Sequence, residues 1–186
     1  MAEDSILIVD DEPNVIAAIK RIFIHEPYEI FSGGSASEGM EVLRTHPVKV
    51  VISDERMPGI TGSEFLSRVR RDFPGAIRIM LTGHASITTA MKAVNEGEIY
   101  RFLTKPWDDI ELRLTVQTAL DKYNLEEENR RLLKIVRQQA LNLKLIERQF
   151  PGITKLDRSE DGRITLPDIS EDEMSEIIAQ CERDYI

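Results

Sequence analysis

VKVVISDERMPGITG, residues 48–62, sets a solid apolar run against an aspartate, then a short loop carrying proline and glycine, then a change of period. Val48 to Ser53 reads as a buried β-strand, because a run of β-branched residues bounded by turn signals suits a strand covered on both faces. Met57 to Gly62 reads as a loop and Ser63 to Arg71 as a helix. Asp54 therefore stands where a central strand ends, and Glu55 is expected to point along that strand.

The same alternation extends both ways. Upstream, Ile6 to Val9 is a short apolar run ending in Asp10 and Asp11, and Pro13 suits the first turn of a helix reaching about His25. Tyr28 to Phe31 is a weaker strand, and Gly33, Gly34 and Ser35 lead into a helix ending near Thr45. Downstream, Ile77 to Leu81 predicts a fourth strand, Ile87 to Asn95 a fourth helix and Tyr100 to Leu103 a fifth strand. Asp108 or Asp109 opens a last helix after Pro106. Strands separated by helices of this length imply parallel pairing, since each crossover returns the chain to the same end of the sheet. Residues 1–120 thus predict an α/β domain, a doubly wound five-stranded parallel sheet built from five strand–helix units.

In such a sheet the functional groups collect beyond the carboxyl ends of the strands. Asp10 and Asp11 end the first strand, Asp54 the third and Thr82 the fourth, while Lys105 follows the fifth. Three carboxylates with no histidine or cysteine beside them form a hard oxygen site, whose mutual repulsion a small divalent cation relieves. Magnesium is expected, with Asp11 and Asp54 as direct ligands, Asp10 acting more through water, and the backbone carbonyl of Arg56 as a third protein ligand. Phosphoryl transfer to a carboxylate needs an oxygen nucleophile and counter-charge on the equatorial oxygens. Asp54 is the best nucleophile, Lys105 a mobile point charge, and the Thr82 hydroxyl a hydrogen-bond donor with small neighbours in Gly83 and Ala85. Pro106 restricts the backbone of Lys105 and so aims it.

VDDE at 9–12, SDERMPGITG at 53–62, MLTGHA at 80–85 and YRFLTKPW at 100–107 together resemble the receiver domains of two-component response regulators, the CheY-like family. The match covers roughly residues 4–120, and the ordered combination is far more specific than any one piece. The resemblance implies a flavodoxin-like fold, Asp54 as phosphoacceptor, Asp10 and Asp11 as the acidic pair, Thr82 as the switch hydroxyl and Lys105 as the invariant lysine. It implies a histidine kinase or phosphotransfer protein as donor and a downstream protein that reads the fourth helix, fifth strand and fifth helix. Phe102, three residues before the lysine, takes the place of the switch aromatic, with Tyr100 two residues earlier. Arg56 and His84 fall at the two variable positions beside the phosphate. The EIYRFLTKPWDD run also resembles receivers joined to cyclic-dinucleotide hydrolase domains or hybrid kinases, but no metal-binding HD pair follows it.

The helix opening at Asp108 meets no breaker until Pro151. From Leu125, residues recur at spacings of four and three, with Leu125, Leu132, Gln139 and Ile146 at d and Asn129, Val136, Leu143 and Phe150 at a. Residues 121–150 are thus a coiled-coil-like extension. Leu133, Ile135, Leu141 and Leu145 widen the stripe, so homodimerisation, folding back and meeting a third helix all stay open. Residues 151–186 carry ten acidic and four basic side chains. Ile153 to Leu156 and Arg163 to Leu166 flank Asp161-Gly162 as a hairpin, followed by a helix from about Asp168 or Ser170 to Cys181. Asp157 to Asp168 nearly fits a calcium-binding loop, but Pro167 crowds its exit and Asp168 is shorter than the usual bidentate glutamate, which favours the hairpin. This acidic segment is too small for a large core of its own and is expected to dock on a partner or to begin a larger domain.

Composition sets the outer limits. With 33 acidic against 24 basic residues, the formal charge of -9 disfavours direct DNA binding and an anionic membrane surface. Cys181 is the only cysteine, so neither an internal disulfide nor a cysteine-rich zinc cluster can form, and a cytoplasmic setting fits. The expected function is a phosphorelay response regulator and not an enzyme acting on a separate substrate. Two alternatives stand beside it: a receiver-like interaction or dimerisation module that carries no phosphate, and a hydrolase with an aspartyl nucleophile. The hydrolase would need a second acid near Asp54 and a cap over its substrate, and no long insertion supplies the cap.

Overall fold

The computed structural model describes residues 4–83, 91, 94, 99–151, 157–158, 164–165, 170, 172, 174 and 175. Two compact units divide the chain, Met1–Arg130 and Arg131–Ile186. In the first, β1 (Asp4–Val9), β2 (Tyr28–Gly33), β3 (Val50–Asp54), β4 (Ile77–Thr82) and β5 (Arg101–Thr104) form one sheet in the order β2-β1-β3-β4-β5. Every pairing in it is parallel. The connecting helices are α1 (Pro13–Ile22), α2 (Ala36–Thr45) and α3 (Gly62–Asp72), and β5 leads into α4 (Asp109–Gln149). The five-stranded doubly wound sheet and the long final helix are as the alternation predicts.

The apolar strands are continuous because both faces are covered, and alternate side chains go to different cores. Ile6, Ile8, Val50, Ile52, Ile79 and Leu81 pack with Ile19 of α1 and with Leu112, Val116 and Ala119 of α4. Leu7, Val9, Val51 and Met80 pack on the other face with Leu43 of α2 and with Phe65, Leu66 and Val69 of α3. Sliding any strand by one residue would exchange these two sets, so the register is held by both layers at once.

Several boundaries differ from the sequence reading for local reasons. Helix α1 stops at Ile22, short of His25, because Phe23 leaves the helix to become 1% exposed in the core. Strand β3 starts at Val50, after the Val48 amide has turned back to the His46 carbonyl at 3.0 Å, and the buried Lys49 before it sends its ammonium to Asp4 at 2.6 Å and to the Asn124 side-chain carbonyl at 3.0 Å. Helix α3 begins one residue early, at Gly62, where Thr61 accepts from the Glu64 amide and the Glu64 carboxylate accepts from the Thr61 amide. Helix α4 opens where Asp108 caps it, accepting from the amides of Ile110 and Glu111 at 2.9 Å each.

The helix expected over 87–95 lies outside the described residues except for Met91 and Val94, both helical. His84 and Ala85 also lie outside. In the second unit, β6 (Asp157–Arg158) and β7 (Ile164–Thr165) pair antiparallel, with Asp157 opposite Thr165. The expected turn at Asp161-Gly162 and the strand over 153–156 fall outside the described residues, as does most of the expected last helix. No helix among the described residues is long and apolar enough to cross a membrane.

Candidate functional site

The carboxyl ends of β1, β3, β4 and β5 bring the expected residues to one mouth. Asp10 directly follows β1, Asp54 closes β3, Thr82 closes β4, and Lys105 directly follows β5. The ends are tied together through the backbone: the amide of Asp10 donates to Gly33, that of Glu55 to Leu81, and that of Lys105 to Thr82 at 2.8 Å. Position along five parallel strands thus becomes position in space.

Lys105 is the centre of the cluster. Its ammonium lies 2.8 Å from Asp10 Oδ2 and 2.5 Å from Asp54 Oδ1, with the Asp10 side chain 1% exposed and that of Asp54 8%. The remaining oxygens are also engaged: Asp10 Oδ1 accepts from the Glu12 amide at 2.8 Å, and Asp54 Oδ2 from the Arg56 amide at 2.6 Å. Burial works against a charged lysine, but hydrogen bonds and charge attraction from Asp10 and Asp54 prevail and hold its pKa above the ordinary value. The Lys105-Pro106 peptide is cis.

Asp11 is exposed, and so is Arg56, whose backbone amide faces Asp54. Thr82 is fully buried and its hydroxyl donates to the Gly83 carbonyl at 3.2 Å. Phe102 is half-buried, packed against the core on the α2–α3 face, and stands opposite Met80 in the sheet. Among the described residues no group of three histidine, cysteine, aspartate or glutamate side chains is gathered closely enough to hold a metal, and the lysine ammonium bridges the two buried acids instead. The donor set still suits a hard cation. Asp10, Asp11 and Asp54 against one ammonium leave a formal balance of minus two, and all their candidate donors are oxygens.

Sequence reasoning missed Glu55. It is 6% exposed, and its carboxylate does not follow the strand but turns to α3, accepting from the Ser63 amide at 2.8 Å and the Ser63 hydroxyl at 3.1 Å. The contact spans eight residues, and only the closure of the intervening loop creates it.

Comparison with known proteins supplies a second line. The family model for the response regulator receiver domain matches residues 6–117. The hydrogenase transcriptional regulatory protein HoxA of Cupriavidus necator is 36% identical over 128 residues, 69% of this chain and 26% of that protein. The C4-dicarboxylate transport transcriptional regulatory protein DctD of Rhizobium meliloti is 29% identical over 178 residues, 96% of this chain and 37% of that protein. The chain therefore spans between about a quarter and two fifths of the length of these relatives. Among solved structures, the signal receiver domain of an HD domain-containing protein from Pseudomonas fluorescens superposes with a TM-score of 0.65 at 34% identity. The superposition covers 69% of this chain and 94% of that one.

Proposed function

The chain belongs to the response regulator receiver domain family, and from that premise we propose that Asp54 accepts a phosphoryl group from a histidine kinase or phosphotransfer protein and that the chain relays the change to a downstream protein. The observation that carries this reading is the Lys105 ammonium between Asp10 and Asp54, at 2.8 and 2.5 Å. Two buried acids beside one ammonium leave an excess of negative charge that a cation would offset, and the cation and the ammonium together would then receive the anionic phosphoryl group.

In the reaction, an Asp54 carboxylate oxygen forms the new bond to phosphorus while the bond from phosphorus to the donor's imidazole nitrogen breaks, and that nitrogen keeps the electron pair. Lys105, flexible and already at the carboxylate, moves to a phosphoryl oxygen as that charge arrives. The Arg56 amide stays on Asp54 and holds its plane. Thr82 gives up its 3.2 Å bond to Gly83 to donate to the phosphoryl group. Asp10, Asp11, Asp54 and the Arg56 carbonyl are the groups that would hold magnesium. When bound, the ion supplies positive charge to the transferring group. Phe102, beside the Thr82 strand end, is the aromatic that follows the threonine inward. We place the chain in the cytoplasm, with neither DNA nor membrane as its direct partner, in keeping with its acidic balance.

The extension 121–150 fits a second copy of the chain. Leu132, Val136 and Leu143, at three of the seam positions, are 49%, 59% and 56% exposed, which leaves an apolar stripe for a like helix.

Incubating the chain with acetyl phosphate and magnesium, and reading intact mass, tests the central claim. One phosphoryl group is expected on the wild type and none on D54N. A wild type that gains no mass would favour the alternative, an interaction module without phosphate.

A further inference from the structure

We propose that Glu55 is a positioning residue that fixes the Asp54 loop by tying it to the first turn of α3. This rests on the phosphoacceptor reading of Asp54, and nothing in the family resemblance assigns a role to the glutamate.

Helix α3 has four leading amides that no intrahelical carbonyl can satisfy. The amide of Glu64 goes to the Thr61 hydroxyl and that of Thr61 to the Glu64 carboxylate, a capping box. The other two both go to Glu55: the Gly62 amide donates to its backbone carbonyl at 2.9 Å, and the Ser63 amide to its carboxylate at 2.8 Å. The Ser63 hydroxyl adds a third bond at 3.1 Å. On its other side the Glu55 amide donates to Leu81 of β4 at 2.9 Å. One residue thus joins β4, the end of β3 and the start of α3.

Its neighbours on the two sides are the proposed phosphoacceptor and the residue whose amide holds it. Asp54 precedes it, and Arg56, whose amide holds Asp54 Oδ2 at 2.6 Å, follows it. The approach is so close that a Cβ on Gly62 would lie 2.0 Å from the Asp54 carbonyl oxygen. The helix end therefore presses on the Asp54 backbone, and the carboxylate of Glu55 keeps it there. A helix N-terminus also favours a negative group at that place. The capping box of Thr61 and Glu64 already secures the helix, so the additional tie acts on the loop.

The test separates reach from charge. Glu55→Gln keeps the length, can accept from the Ser63 amide and donate to its hydroxyl, and loses only the charge. Glu55→Asp keeps the charge and is one methylene too short. Full-length wild type, E55Q, E55D and S63A are compared by the rate of mass gain with acetyl phosphate and magnesium, by amide exchange at Arg56, and by thermal melting. E55D should be slower by about tenfold, with a comparable loss of Arg56 amide protection, and E55Q should stay within about twofold of wild type. S63A, which removes the hydroxyl contacts to Glu55 and Thr61 and keeps the amide bond to Glu55, should fall between them and serves if E55D does not fold. E55D and S63A both at wild-type values, or E55Q as slow as E55D, would overturn the proposal. If the wild type itself takes no phosphate, the phosphoacceptor reading fails, while exchange at Arg56 still decides whether Glu55 orders the loop.

Discussion

Lys105 balances two buried carboxylates, and its removal shows what that balance is worth. In K105A, Asp10 and Asp54 would face each other without the ammonium now 2.8 and 2.5 Å away, which should lower stability in urea melts without magnesium by about 2–4 kcal/mol. The pH dependence has a definite sign. The folded lysine has its pKa raised, so its contribution is complete below the unfolded lysine pKa and is lost as pH climbs through the folded one. The gap between wild type and K105A should stay flat from about pH 7 to about pH 10 and close only above that. A gap that closed towards neutrality would assign the stabilisation to another group. Thr115 offers the opposite case: it lies on the buried face of α4, and its hydroxyl has no hydrogen-bond partner among the described residues. T115V should therefore raise stability by about 1 kcal/mol in the same melts, and a fall would reveal a partner for the hydroxyl. The cluster of Asp10, Asp54 and Lys105 was legible in the sequence because each ends or follows an apolar run, and parallel strands convert run ends into neighbours. Thr115 gave no signal, since a threonine between Leu112 and Val116 fits a buried stripe equally well with or without a partner. Glu55 gave the wrong one, because a carboxylate after a strand turns back only if the loop brings a helix amide within reach.

At the scale of elements, β3 and α3 meet at close quarters. Gly62 occupies the first helical position, and a methyl there would meet backbone, the Asp54 carbonyl, and not the far end of a flexible side chain. G62A should cost about 2–3 kcal/mol by urea melting and slow phosphate uptake on Asp54 with it, since the loop must shift to admit the methyl. A variant with wild-type stability and uptake would show that the loop yields freely, contrary to the tight tie at Glu55. Element order, parallel pairing and the length of α4 followed from periodicity and the spacing of breakers. Boundaries did not, and the reasons are tertiary. Phe23 abandons α1 for the core, and the buried Lys49 ahead of β3 finds its partners in Asp4 and Asn124, the latter on α4 and 75 residues away. No local pattern announces such a partner.

At the scale of the whole chain, charge and apolar surface oppose one another. Each copy carries a formal charge of -9, so two copies repel at low ionic strength. Against this stand Leu132, Leu133, Val136, Leu141, Leu143 and Leu145, all exposed on the 131–149 part of α4. Burying a side chain of this kind stabilises by roughly 1.5–3 kcal/mol, so a few seam pairs suffice to offset the repulsion once salt screens it. Asn129 and Gln139 at seam positions weaken the pairing while favouring one register. Self-association should therefore strengthen as salt rises from about 0.05 M to about 0.5 M, the reverse of a pairing held by surface ion pairs. Light scattering on the full chain reads this directly, and V136E combined with L143E should hold the mass at that of one chain throughout. A phosphate mimic ties this scale to the first: beryllofluoride with magnesium should change the mass of wild type and leave D54N unaltered. A wild type that stays single at every salt concentration would remove the second copy as the partner of α4, and a mass indifferent to beryllofluoride would uncouple the helix from Asp54.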